Sequence, residues 1–318
     1  MTWPRKVAPP AAYNQGMSTA TLPLRHFLLA LAVVAVWGSN FVVIQIAIEK
    51  LPPLFFSALR FAFAFFPLVF FLPRPVVRWR NLAAYGLLIG VGQFGLMTFA
   101  MHGHITPGLA SLVLQAHVFF TIFLSMFLLG ERVRPLQWAA LAVASAGVAV
   151  IAVHTDGNTT LAGLTMVIVA AASWGVGNLV ARRALKVNML AYVAWSSIFA
   201  AVPLFILSWI FEGTPAILNG IKAANVGTWA AVAWQSIANA LFGFGVWAWL
   251  LARYPAATVS PIALLVPVVG MTAASVILGE AMPMWKLVAM ALVMAGLALN
   301  FWKGFTRGDR AVLPVDKL

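Results

Sequence analysis

GERVRPLQWAALAVASAGVAV, residues 130–150, returns in altered form as GEAMPMWKLVAMALVMAGLAL, residues 279–299. Gly130, Glu131, Ala140, Ala142, Ala146, Gly147 and Ala149 recur as Gly279, Glu280, Ala289, Ala291, Ala295, Gly296 and Ala298, each 149 positions on. Ser111 falls on Ser260 at the same shift. Earlier in the chain, WGSN from Trp37 is answered by WGVGN from Trp174, 137 positions on. The difference of 12 fits a longer loop in the second half, around EGTPAILNGIKAANVG from Glu212. The chain therefore reads as one unit written twice.

The unit is built for lipid. Of the 318 residues, 63% are hydrophobic and 8% charged, whereas a soluble domain is about 25% charged. Apolar runs of about 20 residues cross a bilayer as helices, and the lack of two-residue alternation excludes an outer-membrane barrel. Five runs fall in the first half: Arg25–Ile48, Pro53–Leu72, Leu82–His102, Pro107–Leu129 and Pro135–Val153. Five more follow: Leu161–Leu185, Met189–Phe211, Gly227–Leu251, Ala256–Leu278 and Met282–Lys303. Glycines dilute the third, and Gln235, Ser236 and Asn239 interrupt the eighth.

Five spans per copy is an odd number, so the second copy must enter the membrane upside down. The expected fold is an all-α integral membrane protein of ten transmembrane helices, arranged as two inverted five-helix repeats over 25–153 and 161–303. Residues 1–24 are Pro- and Ala-rich and unsuited to order, translation is expected to begin at Met17, and 304–318 form a cytoplasmic tail. Inverted repeats place a substrate site near the membrane midplane where the halves meet.

Net charge is +13, which could suggest nucleic acid, but its distribution excludes that partner. With both termini in the cytoplasm, sixteen of the twenty Lys and Arg fall in cytoplasmic segments, three outside (Lys50, Lys222, Lys286) and one, Arg60, within a span. This is the positive-inside pattern of a multi-pass protein. There is no cysteine, so disulfides and thiolate chemistry are excluded.

Three segments carry a resemblance: WGSNFVVIQIAIEKLPPLFFSALRFAFAFFP, LASLVLQAHVFFTIFLSMFLLGE and RYPAATVSPIALLVPVVGMTAASVILGE. Over Arg25–Trp302 the chain resembles the EamA family of drug/metabolite transporters, and within it the bacterial exporters of O-acetylserine and cysteine. The resemblance implies a ten-helix inverted-repeat fold, a bacterial inner-membrane location and efflux of amino-acid metabolites.

Candidate site residues follow from polar groups set in apolar helices. Trp37, Asn40, Phe41 and Ile44 share a helical face, as do Trp174 and Asn178 in the second half. An amide beside an aromatic wall suits a zwitterion, since it donates to a carboxylate and accepts from an ammonium; equally, each Asn could tie two helices together. Arg60 lies roughly 10 Å below the outer boundary, where its planar fork can grip a carboxylate or its long stem can snorkel to the surface. Gln93, Ser111 with Gln115, and Gln235 with Asn239 extend the substrate-binding set.

His117 is a candidate proton relay or a packing residue, about 160° around an α-helix from Gln115, so the two should not face one cavity squarely. Trp247 and Trp249 read as interface or packing aromatics. Glu131 and Glu280 each precede a helix they could cap, and Pro261 and Pro267 bracket a plausible bend or gate. GVGQFG from Gly90 mimics a dinucleotide motif but has no strand before it, and no acid pair sits inside a span. Neither an enzyme nor a cofactor is expected. The expected partners are a small-molecule substrate, a possible coupling ion and the lipid bilayer, with a homodimer left open. The rivals are a passive channel, an exporter of a different metabolite and a non-transporting membrane subunit.

Overall fold

The computed structural model describes residues 22–129, 135–154, 158–182, 184, 187–254 and 256–306. Glu131, with the rest of 130–134, lies outside the described residues. Among them no strand occurs, and the chain is a succession of helices. In the first half these are α1 (Leu24–Ile48), α2 (Pro53–Val69), α3 (Trp79–Gly86), α4 (Leu96–Met101), α5 (Pro107–Val113), α6 (His117–Leu129) and α7 (Pro135–Val153). In the second half α8 (Leu161–Arg182), α9 (Met189–Phe211), α10 (Gly213–Ala223), α11 (Val226–Ala233), α12 (Phe244–Arg253), α13 (Ala256–Val259), α14 (Leu265–Leu278) and α15 (Met284–Thr306) follow.

Four breaks in α geometry punctuate them. A π-helix, Leu87–Gly95, joins α3 to α4, and another, Trp234–Gly243, joins α11 to α12. A 3-10 turn, Leu114–Ala116, joins α5 to α6, and another, Ser260–Leu264, joins α13 to α14. Both kinds of break stand at corresponding places in the two halves.

Among the described residues, seven helical stretches are long and apolar enough to cross a membrane, and two shorter apolar ones, Pro53–Phe66 and Met284–Asn300, accompany them. The stretch expected as the eighth span is helical through Val226–Ala233, the π segment and Phe244–Arg253. The segment read as a longer loop after Glu212 is instead mostly helix α10. Its Gly220 sits against the α1–α2 turn, where an added methyl would stand 2.9 Å from the Lys50 carbonyl, while Leu218 and Ile221 remain exposed.

Local chemistry starts and stops these elements. Pro53 and Pro107 open α2 and α5, where a missing N–H costs nothing. Asn188 accepts from the Leu190 and Ala191 amides to cap α9, and Asn225 forms a capping box with Thr228 on α11. Gly279 ends α14 with a positive φ of 68°, which only glycine adopts without strain.

Packing is reciprocal. α1 lies along α14 and on the second π segment; α8, its counterpart, lies along α6 and on the first π segment. α2 packs on α9, and α7 on α15. Glycines let these helices close up: a methyl on Gly38 would stand 2.6 Å from Val269, and one on Gly175 would stand 2.8 Å from Phe120. At the α7–α15 seam Gly147 meets Ala289 and Val293, while Gly296 meets Ala140 and Ala144. Each of these contacts has its image in the other half. Ile48, Leu51, Phe56, Met101, Ile105 and Leu109, all fully buried, pack together at the end where α2 and α5 begin.

Candidate functional site

A cavity of about 360 Å³ lies among α1, α2, α8, both π segments and both 3-10 turns, within the range of small-molecule sites. Trp37, Asn40 and Phe41 bring the predicted face of α1 to its wall, while Ile44 continues that face into the core. Asn40 is 5% exposed and its Oδ1 accepts no hydrogen bond. Its backbone carbonyl, not its side chain, makes the interhelical tie, accepting from Gln235 Nε2 at 3.4 Å. Asn178 also lines the cavity, but its Nδ2 donates to Thr121 Oγ1 at 3.1 Å, tying α8 to α6.

Arg60 does not snorkel. Its side chain turns inward, 3% exposed, with the guanidinium carbon 3.6 Å from the Phe94 ring centroid and 4.7 Å from that of Phe61. This cation–π clamp contributes about 2 kcal/mol when desolvated, which offsets part of the cost of holding the guanidinium inside. Nε and Nη1 are buried without a hydrogen-bond partner, and no carboxylate among the described residues pairs with the group. Ser236 Oγ, in the second π segment, donates to the Arg60 carbonyl at 3.1 Å and fixes α2 against that segment.

Gln93, Gln115, His117, Trp174 and Asn239 also reach the cavity. Gln115 and His117 face it together, contrary to the expectation from α geometry. The reason is the 3-10 turn between them: at three residues per turn their separation narrows from about 160° to about 120°. His117 stacks flat on Trp174, centroids 3.7 Å apart and planes at 12°, with Nδ1 3.0 Å from the Leu114 carbonyl.

Two expected lining residues are elsewhere. Ser111 donates to the Gly108 carbonyl at 2.6 Å and abuts Gly270 of α14, so its hydroxyl is spent inside its own helix. Gln235 is fully buried behind the wall, held between the Asn40 carbonyl and the Asn239 amide, which donates to its Oε1 at 3.3 Å. Pro261 lies in the 3-10 turn and Pro267 in the first turn of α14; Ala263, Leu264 and Val266 between them line the cavity.

Glu280 caps a helix, but not the one that follows it. Its Oε2 accepts from the Gly108 amide of α5 at 2.9 Å, while Oε1 accepts from Thr106 Oγ1 and pairs with Lys286 at 2.8 Å. The left-handed turn at Gly279 swings the carboxylate across the interface. Glu212 does the same for α2, accepting from the Leu54 and Phe55 amides at 2.7 and 3.0 Å. That role was missed in the sequence, although an acid beside Gly213 at a span end was the available signal.

Also missed were Phe94 and Trp247, whose ring packs against that of Trp37 on the cavity wall with centroids 5.2 Å apart. Trp247 is thus a wall residue; Trp249, against His26 and Arg253, is a packing one as expected. Nothing in the sequence separates the two. A second cavity of about 330 Å³, behind the Leu114–Ala116 turn, is lined almost wholly by apolar side chains and offers little to orient a ligand.

The cavity is of small-molecule size and lies inside a bundle of apolar helices, and comparison with known proteins gives the family of the chain. The EamA-like transporter family profile matches residues 24–153 and again 161–302. The chain is 37% identical over 278 residues to the "Probable amino-acid metabolite efflux pump" of Salmonella typhimurium, covering 86% of this chain and 93% of that one. It is 36% identical over 279 residues to the protein of the same description in Escherichia coli strain K12, with the same coverages. A "Probable terminal-alkyne amino-acid exporter" of Streptantibioticus cattleyicolor is 29% identical over 223 residues, 69% of each chain. A solved crystal structure, 19% identical, superposes over 90% of this chain and 99% of its own with a TM-score of 0.63, a likeness of fold. With its apolar helices and two matching halves, the chain belongs to the EamA-like transporter family.

Proposed function

We propose that the protein exports small amino-acid metabolites across the bacterial inner membrane by alternating access. The observation that carries this reading is Arg60: a buried guanidinium with two unpartnered nitrogens, facing a cavity with no acid among its described lining residues. Burying an uncompensated charge costs several kcal/mol, so an anionic ligand group is the natural complement. A substrate carboxylate on Arg60 leaves its ammonium to Asn40 Oδ1, with Trp37, Trp174 and Trp247 as walls. His117, stacked on Trp174, serves as wall rather than as proton relay. The names of the efflux-pump relatives support amino-acid metabolites as the cargo class.

Ten spans in two inverted repeats, over 25–153 and 161–303, give the carrier its two faces. The reciprocal helix contacts and the recurring π and 3-10 breaks support that symmetry, and the distribution of Lys and Arg supports cytoplasmic termini. On this topology the dense packing around Leu51 and Ile105 closes the outer side, and the cavity belongs to the cytoplasm-facing state.

The test is transport by the purified protein in proteoliposomes. A carrier shows saturation and counterflow for amino acids; a channel shows neither, and a non-transporting subunit moves nothing. Replacement of Arg60 by Ala should abolish saturable transport while the protein remains in the membrane.

A further inference from the structure

We infer that this carrier changes face only with an anion on Arg60, so that export of one carboxylate is exchanged for the return of another anion. The inference rests on the carrier reading above and concerns what that reading leaves open, namely how the empty protein resets.

Every alternating carrier passes through a state closed on both sides. In that state water leaves the cavity, and each charge inside must be met by the protein or the cargo. Here the protein does not meet it. Among its described residues the cavity wall contains Asn40, Gln93, Gln115, Asn178 and Asn239, all neutral amides, and no Asp or Glu. Among the described residues the acids Glu49, Glu212 and Glu280 lie at helix ends, and the last two are engaged by backbone amides of α2 and α5. The Phe61 and Phe94 rings beside the guanidinium soften the loss of water without cancelling a full charge.

Closing the empty cavity therefore strands an unpaired cation in low dielectric. Closing it around an amino acid instead sets a carboxylate against both the guanidinium and the cargo's own ammonium, which Asn40 Oδ1 also meets, so that no charge is left without a partner. The loaded crossing is fast and the empty crossing slow. Net export then requires a returning anion, organic or inorganic. A carrier with its own cavity carboxylate would be free of this constraint, because an internal ion pair could form whenever the cargo left.

Proteoliposomes containing the full chain are loaded with a radiolabelled amino-acid mixture, the membrane potential is clamped, and efflux is followed into three media. One holds unlabelled amino acids, one chloride without amino acids, and one a bulky sulfonate as the sole anion. Efflux into the sulfonate should be at least about tenfold slower than into amino acids, the mark of a stranded buried charge. Fast efflux into chloride identifies an inorganic returning anion, and slow efflux there identifies a carboxylate; either supports the exchange. Equal rates in all three media overturn it while leaving the carrier intact. No release beyond that of protein-free liposomes instead defeats the carrier reading itself. In Arg60→Gln any residual efflux should be equal in all three media, and persistence of the wild-type ratio would also overturn the proposal.

Discussion

Arg60 and Asn40 each present a buried polar atom that the protein leaves unmatched, and together they set the predictions at the scale of single residues. Arg60→Lys keeps the charge but loses the planar fork and the guanidinium's close approach to the Phe94 ring. It is expected to raise the half-saturation concentration at least about tenfold, the loss of one charge-assisted bond, with little change in membrane abundance. Asn40→Ala should lower transport several-fold at unchanged abundance, because Oδ1 holds no other helix; equal loss of protein and transport would show a structural role instead. Both residues were legible in the sequence, since an amide or a guanidinium stands out in an apolar helix. Trp247 was not, because a tryptophan is as much at home against lipid as against a ligand. Ser111 misled for the complementary reason: a hydroxyl in a helix can satisfy itself on its own backbone, as it does at Gly108.

Among the elements, the helix starts and the breaks decide the geometry. Glu280 bridges α5, Thr106 and Lys286 with both carboxylate oxygens occupied and its side chain nearly buried. Glu280→Gln keeps the shape, loses the anion and leaves Lys286 unpaired; it should destabilise the protein by about 3 kcal/mol, measurable as a lower thermal midpoint in detergent. The α7–α15 seam makes a paired forecast. Gly147→Val and Gly296→Val should be comparably damaging, since each pushes a side chain into the opposing backbone at under 3 Å, and overpacking costs about 1–3 kcal/mol. Helix positions were readable from apolar length. The π and 3-10 breaks were not, because they depend on which carbonyl each amide finds after packing, and the placing of Gln115 and His117 on one wall depends on them.

For the molecule as a whole, the proposal of two halves turned over relative to one another rests on the repeated stretches and the sidedness of Lys and Arg. The absence of cysteine makes that directly measurable. Single cysteines beside Glu131 and beside Glu280, challenged with a membrane-impermeant maleimide on intact cells, should label only at the Glu280 position; labelling of both from outside would refute the inversion. The sequence displayed the duplication because glycines and alanines at helix crossings tolerate little drift. It hid the cross-half capping by Glu212 and Glu280, since nothing in a linear chain states which helix end an acid will meet.

The α7–α15 seam has a further consequence. Gly147 accepts Ala289 and Val293 just as Gly296 accepts Ala140 and Ala144, so each half holds both the knob and the socket of the joint. A fragment ending at residue 153 already owns the complement of its own surface. Two such fragments, one overturned, have the means to clasp each other, which makes an ancestor of half this length, inserted in both orientations and later fused, a physically sufficient starting point.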